Sequence, residues 1–192
     1  MPTHQADSAS LAQHLLVATR AVDDGDIFDN SVIYLCEHND KGATGFVINK
    51  YSAIDLDDIY AQMNLSEWDD NPNYVVSRGG PMEPERGFVL HTDEKLWRAS
   101  YRLNNGIAIT LSKDILSDMA CGHGPTSALF VLGYASWTAG QLEQEIADNY
   151  WLVTPASSHI VLDAPLLDRA KLATQSIGVN DLELLYTNKA HA

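Results

Sequence analysis

Residues 128–152, ALFVLGYASWTAGQLEQEIADNYWL, decide the fold of this chain. The first ten form an almost continuous apolar run of strand length, and helical periodicity begins at Ala139. Thr138 and Gln141 have the spacing of a capping box, in which the threonine oxygen accepts a backbone N–H and the glutamine reaches back. The apolar positions of the second part recur every four residues, at Leu142, Ile146 and Tyr150. The stretch therefore predicts a buried strand that turns sharply into an amphipathic helix.

The length and composition indicate one globular domain over residues 1–192, with a loose, small and polar tail over about residues 1–10. The hydrophobic fraction of 45% argues against a disordered chain. No apolar run approaches the roughly 18 residues that a membrane-spanning helix needs. The first residues also lack the basic start and apolar stretch of a secretion signal, so we expect a cytoplasmic protein without a membrane association.

The net charge of −14, from 12 basic and 26 acidic residues, restricts the class of partner. Affinity for nucleic acid depends mainly on Lys and Arg neutralising phosphates, and the sequence has no basic cluster. We therefore expect no strong direct binding to DNA. An excess of acidic residues serves solubility in most proteins, and that is the simpler explanation here.

The rest of the chain mixes strand and helix patterns. Residues 31–50 predict an antiparallel hairpin whose NDKGATG connection is an exposed loop. Residues 52–65 have helical spacing, with Ser52 and Asp55 as start signals, whereas GGPMEPERG at 79–87 predicts irregular structure. Further strands are predicted at residues 15–19, 74–77, 88–92, 107–112 and 159–162, and further helices at about 112–122 and 163–178. The fold class is mixed α/β, with a sheet that is antiparallel in part.

Four blocks of this sequence resemble the AlgH/YqgE family of bacterial proteins. They are SVIYLCEHNDKGATGFVINK, GGPMEPERGFVLH, SKDIL and LGYASWTAGQLEQEIADNYWL, and they occur in the family's order over about residues 15–165. The resemblance implies a single α/β domain with a curved, largely antiparallel sheet flanked by helices. It implies no defined activity: members are labelled uncharacterised or, by association with alginate production, transcriptional regulators.

Cys36-Glu37-His38 is the best local candidate for catalysis. Side chains alternate along a strand, so Cys36 and His38 are expected to point the same way, with Cα atoms roughly 7 Å apart. A histidine beside a cysteine can activate a thiolate. Two buried structural side chains are the more common explanation of such a pair. We expect no metal site, because the seven histidines are scattered, and no cofactor, because no phosphate-binding glycine motif is present.

Polar or amphipathic residues at predicted strand ends and loops are the candidate binding residues: Glu37, His38, Asn39, Asn49, Arg86 and Trp137. We expect Arg86 to lie near the 133–141 turn or near residues 37–39, with the face of Trp137 available to its guanidinium. The structural alternative is that Arg86 pairs with a nearby carboxylate and holds its own loop, and that Asn49 ends a strand.

We interpret the sequence as a non-enzymatic regulatory or binding protein that acts on an unknown protein or small-molecule partner, without strong direct DNA binding. The alternative is a thiol- or histidine-dependent enzyme that uses Cys36 and His38.

Overall fold

The computed structural model describes residues 10–19, 27–65, 68 and 74–179 of the chain. The predicted N-terminal tail therefore lies almost wholly outside the described residues. The strands are β1 (His14–Ala18), β2 (Val32–Asn39), β3 (Gly42–Val47), β4 (Tyr74–Arg78), β5 (Met82–Thr92), β6 (Ser100–Arg102), β7 (Ile107–Thr110), β8 (Ala128–Thr138) and β9 (Trp151–Pro155). The α-helices are α1 (Leu56–Gln62), α2 (Asp114–Ala120), α3 (Gln141–Ala147) and α4 (Arg169–Gln175).

The described strands form one curled, half-barrel sheet in the order β6-β7-β5-β8-β3-β2-β1-β9. Every pairing is antiparallel except that of β4, which runs parallel to the first half of β8. The second half of β8 pairs with β3. The predicted class, a single α/β domain with a curved and largely antiparallel sheet, is confirmed.

Gly133 lets β8 pair with strands in both halves of the sheet. Leu129 and Val131 belong to a core on one sheet face, whereas Ala135 and Trp137, at positions of the same parity, belong to a core on the opposite face. Gly133 has φ +73°, and a Cβ there would lie 2.6 Å from the carbonyl oxygen of Gly80. Only glycine fits this conformation and this space, so the side-chain alternation reverses where β8 changes partners.

The first sheet face carries one continuous core, which α4 and the turn before it cover. The opposite face carries two separate cores. One surrounds Trp137 and Leu142 and lies under α3, and the other lies under α1 and α2. The candidate site lies in the gap between α1 and α2, over the core that these two helices cover.

The predicted hairpin is confirmed in its direction, since β2 and β3 pair antiparallel. Its connection is shorter than expected, because the ladder continues to Asn39 and Gly42 and leaves two residues in the turn. Gly42 and Gly45 have different structural roles. Gly42 has φ +136°, and a Cβ on it would lie 2.1 Å from the carbonyl oxygen of Trp137. A Cβ on Gly45 would lie 2.7 Å from Ile33 Cγ2, so this buried residue admits the neighbouring strand rather than forming a loop.

Three predicted segments differ from the structure. Residues 159–162 form a π-helical turn, His159–Asp163, rather than a strand, because three successive buried apolar residues fit either state. Residues 82–87 continue β5, although four of them bulge out of the ladder. Helix α3 begins at Gln141 after Gly140 with φ +76°, not at Ala139. Gln141 still accepts the backbone N–H of Thr138 at 3.0 Å, which is half of the predicted capping box.

Helix α1, Leu56–Gln62, is shorter than the predicted 52–65 and begins at the second of the two predicted start signals. Asp55 is its N-cap, and Asp58 completes a capping box by accepting the Asp55 N–H.

Arg169, at the start of α4, is a buried cation that holds the sheet to the C-terminal turns. Its Nη1 donates to the carbonyl of Ile48 at 2.6 Å and its Nε to that of Ala164 at 2.9 Å. Burial lowers the pKa of Arg169 to about 10, so the guanidinium stays charged at neutral pH. The sequence analysis did not identify this residue.

No helix within the described ranges is long and apolar enough to cross a membrane.

Candidate functional site

A cleft of about 780 Å³ opens between α1 and the start of α2, over the sheet. Its walls come from four parts of the chain: α1 and the loop before it, the bulged part of β5, the segment from the end of β7 into α2, and the middle of β8. The lining residues are Ile54, Ile59, Gln62, Met63, Pro84, Glu85, Arg86, Gly87, Val89, Thr110, Leu111, Ser112, Lys113, Leu116, Phe130 and Leu132. A volume of this size falls within the usual range for ligand pockets, about 300–1,000 Å³.

The floor of the cleft is apolar. Ile59, Val89, Leu116 and Phe130 are buried members of the core beneath α1 and α2, and Leu132 packs against them. Val89 and Phe130 are neighbours because β5 and β8 are adjacent strands, whereas Ile59 and Leu116 come from α1 and α2. Apolar surface of this kind favours a ligand that removes it from water.

The rim of the cleft carries two cations. Arg86 is half exposed and forms a 3.0 Å salt bridge with Glu83, and its guanidinium lies 5.1 Å from the centre of the Phe88 ring. Lys113, directly before α2, is exposed, and within the part of the chain described here it takes part in no ion pair. Glu85 is the one acidic residue of the described lining, and Glu83 pairs with Arg86 from outside that lining, so two carboxylates balance the two cations of the rim.

The Arg86 rim is held to β8 through one carboxylate. Glu83 accepts from Arg86 and also from the hydroxyl of Tyr134, each at 3.0 Å. These two hydrogen bonds lower the pKa of Glu83. Arg86 thus lies beside the 133–141 segment, as the sequence predicted, and it also pairs with a nearby carboxylate, as the structural alternative predicted. Its ring contact is with Phe88, not with Trp137.

The bulge that carries Arg86 depends on tight packing. Met82 is opposite Tyr134 and Gly87 is opposite Leu132, so four residues of β5 have no opposite residue in β8. A Cβ on Gly87 would lie 2.3 Å from the Phe130 ring, so glycine lets the strand return closely to the sheet.

Cys36 and His38 are not brought together, and the expectation that they point the same way is wrong. In the β2–β3 ladder Leu35 pairs with Gly45 and Glu37 with Thr44, so Cys36 is a bulged residue without a partner. A bulge interrupts the alternation of side chains. Cys36 consequently packs against the core of the first face, where burial, with the charge of Glu37, raises the pKa of its thiol.

His38 lies under α3 on the other side of the sheet and is occupied there. Its Nδ1 accepts the backbone N–H of Leu11 at 2.9 Å. Its Nε2 therefore carries the proton and donates to Glu143 at 2.8 Å. The two residues offer no thiolate–imidazole pair.

The other predicted binding residues lie apart from the cleft lining, which contains Arg86 alone of the predicted set. Asn49 accepts from the N–H of Val32 at 2.7 Å and ends the hairpin. Trp137 is buried, and its indole donates to Glu145 at 2.8 Å. Glu37 and Asn39 are exposed and bond to each other at 2.7 Å beside the hairpin turn.

No group of three or more His, Cys, Asp or Glu side chains in the described ranges has the arrangement of a metal site.

The sequence analysis missed most of the cleft. Its floor residues are separated by as many as 73 positions, from Ile59 to Leu132, and each reads locally as ordinary core. Lys113 was assigned only to a helix start. The glycines and prolines around Arg86 were the one local signal that marked this region.

Comparisons with known proteins agree with this fold. The chain is 39% identical over 191 residues to a UPF0301 protein of Saccharophagus degradans, covering 100% of this chain and 93% of that protein. It is 42% identical over 187 residues to a UPF0301 protein of Chromobacterium violaceum, covering 97% and 100%.

Two solved structures are similar. The solution structure of AlgH from Pseudomonas aeruginosa matches with 37% identity and a TM-score of 0.75, covering 98% of this chain and 99% of that one. A crystal structure of a Corynebacterium diphtheriae protein, 22% identical with a TM-score of 0.69 and 91% coverage of both chains, shares the fold. The sequence profile of the AlgH-like family matches residues 15–181. This chain therefore belongs to the AlgH-like family.

Proposed function

We propose that this protein is a non-enzymatic regulator that acts by binding a partner in the cleft between α1 and α2. The observation that carries the proposal is the combination of an apolar floor with two cations on the rim. Such a site provides burial for affinity and a few placed polar groups for orientation. It needs no reactive side chain.

Two further observations support binding over catalysis. Cys36 and His38 are separated by the sheet, and burial keeps the Cys36 thiol protonated at neutral pH. Both ring nitrogens of His38 take part in hydrogen bonds within the protein. A thiol- or histidine-dependent enzyme would need at least one of these groups free.

The negative net charge supports a regulator of transcription that does not itself bind DNA strongly. With a net charge of −14 the protein repels phosphate, and the described lining of the cleft contains two cations, Arg86 and Lys113. Regulation would then pass through a protein or small-molecule partner. We place this activity in the cytoplasm, where the two free cysteines, Cys36 and Cys121, would remain reduced.

The test compares variants in a bacterial host whose own family member has been deleted. Leu132→Trp fills the cleft, and Leu167→Trp, on a side chain that is 74% exposed, is the matched control. Cys36→Ala removes the thiol. We expect the wild type, Leu167→Trp and Cys36→Ala to restore the same set of transcripts, and Leu132→Trp to fail while remaining folded by circular dichroism.

Failure of Cys36→Ala alone would favour the enzyme. Full restoration by Leu132→Trp would refute the cleft as the site.

A further inference from the structure

We propose that Asn105 is a site of spontaneous deamidation, and that its conversion to aspartate or isoaspartate separates the β6–β7 hairpin from the chain after β9. The inference goes beyond the proposed function and does not depend on it. It begins from the dipeptide Asn105-Gly106 at the turn of that hairpin. Asn105 is the one asparagine of this sequence that a glycine follows.

The dipeptide forms the tight turn between β6 and β7. Asn105 has φ +63° and Gly106 has φ +73°. Two successive positive φ angles are typical of a type I′ turn, for which Asn-Gly is the favoured sequence. The N–H of Ile107 donates to the carbonyl of Asn104 across the turn at 3.4 Å, and that of Leu103 donates to Ile107 at 2.8 Å. The turn therefore fixes the register of the hairpin at its exposed end.

The side chain of Asn105 joins this turn to another part of the sheet. Its Nδ2 donates to the carbonyl of Ala156 at 3.1 Å, and Ala156 directly follows β9. Strands β6 and β7 lie at one end of the strand order and β9 at the other, so the bond links the two ends of the curled sheet. Leu103 and Ala156 pack against the core of the first face, to which Ile107 belongs. The bond therefore lies at the edge of that core.

The reaction needs only water besides the dipeptide itself. The backbone nitrogen of Gly106 loses its proton and attacks Cγ of Asn105; a succinimide ring closes, and the side-chain nitrogen leaves as ammonia with that proton. Water then opens the ring at either carbonyl and gives aspartate or isoaspartate. A Cβ on the second residue hinders the attacking nitrogen, whereas Gly106 has none, and even a Cβ built there would meet nothing within 4 Å. Both residues are exposed, so water reaches the ring.

The hydrogen bond between Asn105 and Ala156 slows this reaction without preventing it. The side chain must leave Ala156 before its Cγ can approach the nitrogen of Gly106. A neutral hydrogen bond favours the bonded conformer by about two- to tenfold. The rate at this unhindered dipeptide should fall by about that factor, and so remain above the rate at asparagines that precede a bulkier residue.

The two products break the contact in different ways. Aspartate keeps the turn, since Asp also tolerates positive φ, but its carboxylate has no N–H to donate and faces the carbonyl oxygen of Ala156. Isoaspartate routes the main chain through the former side chain and adds one carbon to the two-residue turn. Because the length of the turn fixes the register of a hairpin, the pairing of β6 with β7 is then disturbed. The modification thus loosens one end of the sheet as the protein ages.

The first test ages the purified protein at 37 °C and follows each asparagine by peptide mass spectrometry. Asn30, Asn64 and Asn149 are the internal controls, since they share the positive φ of Asn105 but precede residues larger than glycine. We expect Asn105 to convert at least tenfold faster than any control and to give two product peptides of equal mass. Its rate should be higher at pH 8 than at pH 6, because the attacking nitrogen must be deprotonated.

Conversion of Asn105 at the rate of the controls would overturn the proposal. A single product, aspartate, would indicate direct hydrolysis of the side-chain amide and would also overturn it, because a succinimide opens at both carbonyls.

The second test measures the consequence with an encoded product. Asn105→Asp introduces the carboxylate, whereas Asn104→Asp places the same charge on the exposed neighbour and leaves the Asn105 amide in place. The amides of Leu103 and Val161 are hydrogen-bonded on the two sides of the contact. We expect them to exchange with deuterium about two- to tenfold faster in Asn105→Asp than in Asn104→Asp, the factor by which the lost bond favoured the closed conformer. Equal exchange in the two variants would overturn the proposed separation of the hairpin.

Discussion

Replacing Arg169 by methionine tests how much the buried guanidinium contributes to stability. The side chain has no solvent exposure, and methionine keeps most of its bulk. The change leaves the carbonyls of Ile48 and Ala164 without their donor, and each buried unsatisfied acceptor costs about 1–3 kcal/mol. The contact with Leu162 at 3.4 Å is too long to add much. Removing a buried charge offsets part of the loss. We expect the free energy of unfolding to fall by about 2–4 kcal/mol.

The measurement is urea unfolding followed by circular dichroism, with the m-value held as a check on two-state behaviour. For a chain of this length the loss corresponds to a decrease in Tm of about 5–15 °C. Lys171→Met also replaces a cation by methionine, on an exposed position of the same helix, and should stay within about 0.5 kcal/mol of the wild type. If Arg169→Met matched that control, the carbonyl contacts would not be stabilising and the reasoning would fail.

Three further outcomes are expected. Burial lowers the pKa of the His91 imidazole. The unfolded state therefore binds a proton at higher pH than the folded state, so the free energy of unfolding should fall as the pH drops below about 6.5, by at most about 1.4 kcal/mol per pH unit. In urea titrations from pH 7 to 5, His91→Gln should flatten this pH dependence, and the exposed control His123→Gln should not. Gly42→Ala should destabilise the protein far more than Gly140→Ala, because both glycines have positive φ but only Gly42 faces a backbone oxygen at 2.1 Å; equal decreases in Tm would show that the contact relaxes freely. The protein should show no sequence-specific binding to duplex DNA near physiological salt, because a net charge of −14 repels phosphate, and a tight specific complex in a titration would contradict the charge argument.

Short sequence patterns predicted the elements whose structure depends on residues close by in the chain. Asp55 is both an N-cap and the first half of a capping box, so α1 could be predicted from spacing. Residues 159–162 could not, because the apolar run has no period and its three buried residues fit a strand or a helical turn equally well.

The candidate site was less predictable because it depends on distant pairings. The bulge at Cys36 moves the side chains that follow it to the opposite face of the sheet, and no pattern in the residues CEHN indicates a bulge. The cleft floor combines Val89 with Phe130, which become neighbours only through the ladder between β5 and β8. Arg86 was found because its loop carries glycine and proline, and Lys113 was missed because its surroundings look like an ordinary helix start.

The central place of β8 has a consequence for how the chain folds during synthesis. β8 is the common partner of segments 42–45, 74–78 and 82–91, all of which precede it. Until residue 138 leaves the ribosome, the β2–β3 hairpin and the β5–β7 pair have no strand to join them, and isolated hairpins are marginal in water. Long-range pairing of this kind closes slowly, over roughly milliseconds to seconds. The nascent chain therefore carries open strand edges for most of its translation, which makes it a substrate for chaperones until β8 emerges.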